Sequence, residues 1–213
     1  MHFHVITLFP EPIKKYFSES ILGRSLAENN FSVSYYNPRD FAKDKHKTVD
    51  ERPYGGGPGM VMLAEPILKA WQKAVGRKKS VKTIIFSPGG QKFTNELARD
   101  WIKDYRHIVL ICGRYEGVDD RVRQITNAEE ISVGDYVLTG GEIPAMILVD
   151  AMARQIPGTL GSFESVEEER VAGHRMYTRP PVLKWKRDDY EVPEVLRSGD
   201  HKKIDEWRMK GGE

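Results

Sequence analysis

Apolar and polar residues alternate from His2 to Phe9, a period of two that predicts a first strand. Pro10 and Pro12 close it, and because proline suits the first helical turn they predict a helix through Ile13, Phe17 and Ile21. Phe31–Tyr36 reads as a second strand. Met60–Val75 carries Ile67, Leu68 and Trp71 on one helical face. Val81–Phe86 is a strand ending in the turn signal Ser87-Pro88-Gly89-Gly90. Thr94 predicts a capped helix over Asn95–Lys103. His107–Ile111 is a strand running into Gly113 and Gly117, and the run Ile131–Leu138 predicts another, ending at Gly140 and Gly141. Glu142–Arg154 is a helix apolar almost all round, so it must be covered on more than one side, and a subunit interface is one way to do that. Short helical pieces around Val195 and over Ile204–Trp207 finish the chain. Strand–helix alternation predicts an α/β fold with a mostly parallel sheet.

Two stretches break this pattern. Asn37–Gly59 is long, polar and glycine-rich, and a loop of that length in a compact domain is usually functional or disordered. Ser162–Arg175 is acidic and poor in apolar residues, which reads as a flexible linker. The chain therefore divides into a domain over 1–160, a linker over 161–176 and a short C-terminal segment over 177–213.

Composition narrows the class. With 39% hydrophobic residues the chain can build a core, and its net charge of +2 does not announce a nucleic-acid binder, so that claim must rest on local clusters. A single cysteine, Cys112, excludes an internal disulfide, as in a reducing compartment. There is no apolar run of membrane-spanning length and no signal-peptide pattern at Met1-His-Phe-His-Val, so no membrane partner and a cytoplasmic location are expected.

Glycine-punctuated strand ends let a ligand approach the main chain, and in open α/β sheets ligands bind beyond the carboxyl ends of strands. Ile111–Pro144 is therefore the candidate site. No G-x-G-x-x-G opens a helix after the first strand and no G-x-x-x-x-G-K-[ST] occurs, which argues against nicotinamide and P-loop chemistry. Cys112, ending a strand, reads as structural rather than nucleophilic. The six histidines show no metal-ligand spacing, and no metal ligands are assigned. Lys43–Lys47 reads as a solvated loop or a phosphate contact, and Arg154 as a helix-end charge or a group aimed at a developing oxyanion.

Three motifs carry a resemblance: Asp50-Glu-Arg-Pro-Tyr-Gly-Gly-Gly-Pro-Gly-Met60, Cys112-Gly-Arg-Tyr-Glu-Gly117 and Ile131-Ser-Val-Gly-Asp-Tyr-Val-Leu-Thr-Gly-Gly-Glu-Ile-Pro144. With Leu8-Phe-Pro10, Tyr177-Thr-Arg-Pro180 and Val195-Leu-Arg-Ser-Gly199 in order, the chain resembles the bacterial tRNA (guanine-N1)-methyltransferases, the TrmD family of the SPOUT superfamily. The resemblance implies a SPOUT-type α/β fold with helices on both faces of the sheet. A deep trefoil knot would lie around Val81–Leu148, and a small, mostly helical C-terminal segment would bind tRNA. It also implies an obligate homodimer whose active sites are shared between subunits. The cofactor would be S-adenosylmethionine, held by Ser87, Pro88, Gly113, Glu116, Gly117, Val133, Gly134, Asp135, Tyr136, Val137, Leu138, Gly140, Gly141 and Pro144. The implied reaction methylates N1 of the guanine just 3′ of the anticodon (position 37), in the presence of Mg²⁺. Arg154 would stabilise charge on O6, and Glu116 would engage the target base.

The chain departs from the family in the linker. The family's base is an aspartate within Asp-Ser-Phe, whereas here the text is Glu167-Glu168-Glu169-Arg170, which makes Glu169 the candidate base. The C-terminal segment is also shorter than the family's. Two other readings stay open: a cofactor-binding, tRNA-binding protein with lost catalysis, and a SPOUT enzyme acting on another RNA.

Overall fold

The computed structural model describes residues 1–160 and 175–209. The chain divides into two units, Met1–Leu160 and Gly161–Glu213. In the first, β1 (His2–Ile6), β2 (Ser32–Tyr36), β5 (Val81–Lys92), β6 (His107–Ile111) and β7 (Glu129–Ser132) form one sheet in the order β2-β1-β6-β5-β7. Every pairing in it is parallel. The first unit also contains a short antiparallel pair, β3 (Asp50–Glu51) with β4 (Val61–Met62). The helices are α1 (Pro10–Phe17), α2 (Ser20–Ala27), α3 (Ala64–Val75), α4 (Asn95–Asp104), α5 (Arg121–Thr126) and α6 (Glu142–Ala153).

Alternation along the strands sorts the core onto two faces. Phe3, Val5, Ile84, Ile108, Leu110 and Ile131 pack with Ile13 and Phe17 of α1, Trp101 of α4 and Leu148 and Met152 of α6. Ile6, Val109 and Ile111 pack on the other side with Ile67 and Ala70 of α3 and Val122 of α5. Both faces are thus covered by helices, as buried parallel sheets require.

Several elements differ from the periodicity reading, each for a local reason. The helix after Pro10 is broken into two, because the end of α1 folds against Gly23, where a Cβ would lie 2.3 Å from the Ser18 carbonyl oxygen. Residues Met60–Leu63 are not helical, since Val61 and Met62 are taken up by the pairing with β3. Ser87–Gly90 is a bulge inside β5 rather than its end: Phe86 and Gln91 both pair with Ile131. The strand expected over Ile131–Leu138 ends at Ser132, and beyond it Tyr136 folds back, its amide donating to the Gly134 carbonyl at 2.9 Å and its hydroxyl to the Val133 carbonyl at 3.1 Å. Between β6 and β7 the chain also forms the six-residue α5, which the periodicity does not mark.

The second unit holds a hairpin of β8 (Val182–Trp185) and β9 (Asp188–Glu191) followed by α7 (Glu194–Arg197) and α8 (His201–Met209), so its described part is not mostly helical. Among the described residues no helix is long and apolar enough to cross a membrane.

Candidate active site

The two glycine turns close on each other. The Gly141 amide donates to the Gly113 carbonyl at 2.9 Å, and Arg114 bridges to Gly140 across an isolated antiparallel contact. A Cβ on Gly141 would stand 2.6 Å from Cα of Cys112, so only glycine lets these two backbones meet. A third segment completes the seam. The Glu116 amide donates to the Met60 carbonyl and the Met62 amide to the Gly117 carbonyl, both at 2.9 Å, which lays the end of the glycine-rich 50–60 loop along the 113–117 turn.

Beneath the seam lies a buried polar brace. Thr7 at the end of β1 donates to Glu142 Oε1 at 2.7 Å, and Arg114 Nε stands 3.1 Å from Glu142 Oε2. That Nε makes no aligned hydrogen bond, so its attraction to Glu142 is Coulombic in a site shielded from water. The guanidinium also covers the Phe9 ring at 4.5 Å and donates through Nη1 to the Thr139 carbonyl at 3.1 Å. One arginine thus ties the end of β1, the 113–117 turn and the 133–141 loop together. Cys112 is fully buried beside this brace, and burial pushes its thiol well above the ordinary range, which fits a structural role and not a thiolate nucleophile.

These turns and the Ser87–Gly90 bulge enclose a cavity of about 260 Å³ at the carboxyl ends of β5, β6 and β7. All the cofactor candidates line it except Asp135, which turns away to an ion pair with Lys92 at 2.8 Å. Phe86, Arg114, Tyr115, Ile131, Ser132 and Thr139 join the lining without having been singled out. The signal for Arg114 was its place inside the Cys112–Gly117 motif. The walls combine main chain and apolar side chains with Ser87, Arg114, Ser132 and Thr139, and among the described residues Glu116 is the only acidic member.

Glu116 is exposed at the rim, and a Cβ on Gly59 would meet its Oε1 at 2.4 Å, so the loop and this carboxylate are in contact. Arg154 is not in the same place. It follows the last turn of α6, ten residues beyond Pro144 and hence about 15 Å along the helix. There it borders a separate groove with Pro12, Tyr16, Ile21, Leu22 and Met146, and its amide donates to the Asp150 carbonyl at 3.2 Å. Glu169, with Glu167 and Glu168, lies outside the described residues. The basic Lys43–Lys47 stretch is a structured turn. Asp44 accepts from Thr48 and His46, contacts with Thr48 that hold its carboxyl below the usual range, while Lys43 pairs with Glu65 at 2.7 Å.

The family described as tRNA (Guanine-1)-methyltransferase TrmD matches residues 1–212, nearly the whole chain. This protein belongs to that family. Among similar proteins, the tRNA (guanine-N(1)-)-methyltransferase of Carboxydothermus hydrogenoformans is 48% identical over 99% of this chain and 82% of its own length. Those of Mannheimia succiniciproducens and Thermomicrobium roseum are 48% and 45% identical, over 97% and 98% of this chain and 81% and 77% of theirs. Residues of two of the three motifs, Cys112–Gly117 and Ile131–Pro144, line the cavity, and none of Asp50–Met60 does.

Proposed function

We propose that the protein transfers the methyl group of S-adenosylmethionine to N1 of the guanine immediately 3′ of the anticodon in tRNA. The observation that carries this reading is the cavity at the closed glycine turns, in a chain that belongs to the TrmD family. Main-chain groups of 113–117 and 133–141 would bind the cofactor's polar parts, and Leu138, Ile131 and Pro144 its apolar surface.

The chemistry sets what else is needed. Guanine N1 carries a proton, so as N1 attacks the sulfonium methyl a carboxylate must accept that proton. The C–S bond breaks, leaving S-adenosylhomocysteine, and the negative charge that gathers on O6 calls for a cation. Glu169 is proposed as the base, Glu116 as the group holding the target base at the rim, and Arg154 as the cation. Glutamate in place of aspartate keeps the acceptor and lengthens its reach by one methylene.

Because Arg154 stands about 15 Å along α6 from Pro144, we propose that a second copy of the chain delivers it. Ile143, Ile147, Asp150 and Arg154 follow one another at helical spacing down a single face of α6. Ile143 and Ile147 are 48% and 39% exposed on that face, beside the apolar groove of Tyr16 and Ile21, which supports a homodimer packed there. The family's trefoil knot is proposed for Val81–Leu148, with support from β6 lying between β1 and β5 in the sheet and from Gly90, where a Cβ would stand 2.5 Å from the Glu130 main chain. In the second unit, Arg175, Arg179, Arg197 and Arg208 border one cavity, a basic surface suited to tRNA phosphates. A Mg²⁺ requirement rests on the family alone. The lining offers one carboxylate and a protein-built magnesium cage needs more, so no ligands are assigned.

The test is transfer of labelled methyl from S-adenosylmethionine to an unmodified tRNA transcript with guanine 3′ of the anticodon, beside a transcript with adenine there. Incorporation into the first alone is expected. Cofactor binding without incorporation would favour a tRNA-binding protein that has lost catalysis, and incorporation into ribosomal RNA instead would overturn the substrate.

A further inference from the structure

At the opposite end of the sheet from the glycine turns, three histidines converge. His2 and His4 are two residues apart on β1 and therefore share a face, and β6 sets His107 directly beside His2. The His2 and His4 rings stack with centroids 4.1 Å apart, and the His107 ring lies 5.8 Å from the first and 5.4 Å from the second. One nitrogen from each ring falls within 4.8 Å of the other two, and His4 Nε2 and His107 Nδ1 are 3.2 Å apart. Imidazole nitrogens bind zinc at about 2.0–2.1 Å, so two ligands of one ion stand roughly 3–3.5 Å from each other. The His4–His107 pair meets that spacing, and His2, stacked on His4 with a nitrogen within 4.8 Å of the other two, must turn out of the stack to complete the set.

We propose that His2, His4 and His107 form a transition-metal site that takes a borderline divalent ion such as Zn²⁺ or Co²⁺. Its position is separate from the cofactor cavity, and the proposal does not depend on the methyl-transfer reading.

Three features support it beyond proximity. Hydroxyls of β2 hold two of the rings, Ser34 Oγ at 2.8 Å from His2 Nε2 and Tyr36 Oη at 3.2 Å from His4 Nδ1, the kind of outer contact that orients ligating imidazoles. Access is graded: His4 is buried, while His2 and His107 are half-buried, so an ion entering from solvent meets two rings and closes on the third. The surroundings also choose the ion. Among the described residues no carboxylate joins the cluster, a donor set that suits an ion bound through nitrogen rather than a hard ion such as Mg²⁺ or Ca²⁺.

The site is tested on full-length protein with no histidine tag, freed of metal by chelation. Titration with Co²⁺ is read by visible d–d absorption and titration with Zn²⁺ by calorimetry. One ion per chain is expected, with His2→Ala and His107→Ala each weakening binding about tenfold or more. The exposed His201→Ala should leave it unchanged. His107→Asn, which keeps a polar neighbour for His4, serves if the alanine variant does not fold. Less than one ion per chain, or affinity within about twofold of wild type in folded His2 and His107 variants, overturns the proposal.

Discussion

At the scale of single residues, the account turns on Arg154. A guanidinium placed to meet charge on O6 acts in the transition state and leaves the bound cofactor untouched. Arg154→Ala is therefore expected to slow methyl transfer by about 10²–10³-fold and to leave the cofactor Kd within about twofold. Single-turnover kinetics beside calorimetry checks this, and equal losses in both would remove the role given to Arg154. The residue was legible in the sequence as the charge closing an apolar helix, but not its distance from the cavity, because spacing along one chain does not reveal which copy it serves. Asp135 was misread for a simpler reason. Its motif neighbours all line the cavity, yet its own side chain is drawn outward to Lys92. The brace of Thr7, Glu142 and Arg114 was invisible because its members lie more than a hundred residues apart in part, as with the 135-residue separation of Thr7 and Glu142.

At the scale of elements, the two glycine turns have different duties. Gly141 is pressed against main chain, so Gly141→Ala must move Cys112 and is expected to destabilise the fold by about 1–3 kcal/mol, measured by denaturant unfolding. Gly113 faces only Val118 Cγ2, at 3.2 Å, a side chain that can yield. Gly113→Val should fold and lose cofactor affinity by about tenfold or more, because its bulk enters the cavity lining. Cofactor affinity at the wild-type level in that variant would place the ligand elsewhere. The buried strands β1 and β6 and the helix α6 were legible because burial imposes a pattern on their residues. The hairpin β8–β9 was not. Leu183, Trp185 and Tyr190 are exposed, so no face is selected and no alternation is written into the sequence.

At the scale of the whole molecule, strand–helix alternation implied a parallel sheet, but the order β2-β1-β6-β5-β7 could not be read from it. Periodicity says which residues are buried and not which strands are neighbours. The histidine cluster has the same origin: His2 and His107 meet only because β6 inserts beside β1. No metal-ligand spacing stands out among the histidines along the chain, because His107 joins His2 and His4 only through the topology.

The same limit applies to the active site, which in this account is complete only in a dimer. The most direct measurement co-expresses two differently tagged chains, Arg154→Ala and Gly113→Val, and assays the purified mixed dimer for methyl transfer to tRNA. If Arg154 of one chain serves the cavity of the other, each mixed dimer contains one intact site. The purified mixed dimer is then expected to show about half of wild-type activity, although each variant alone is nearly inactive. Wild-type activity with no recovery in the mixed dimer would contradict the shared site and place Arg154 with the cavity of its own chain.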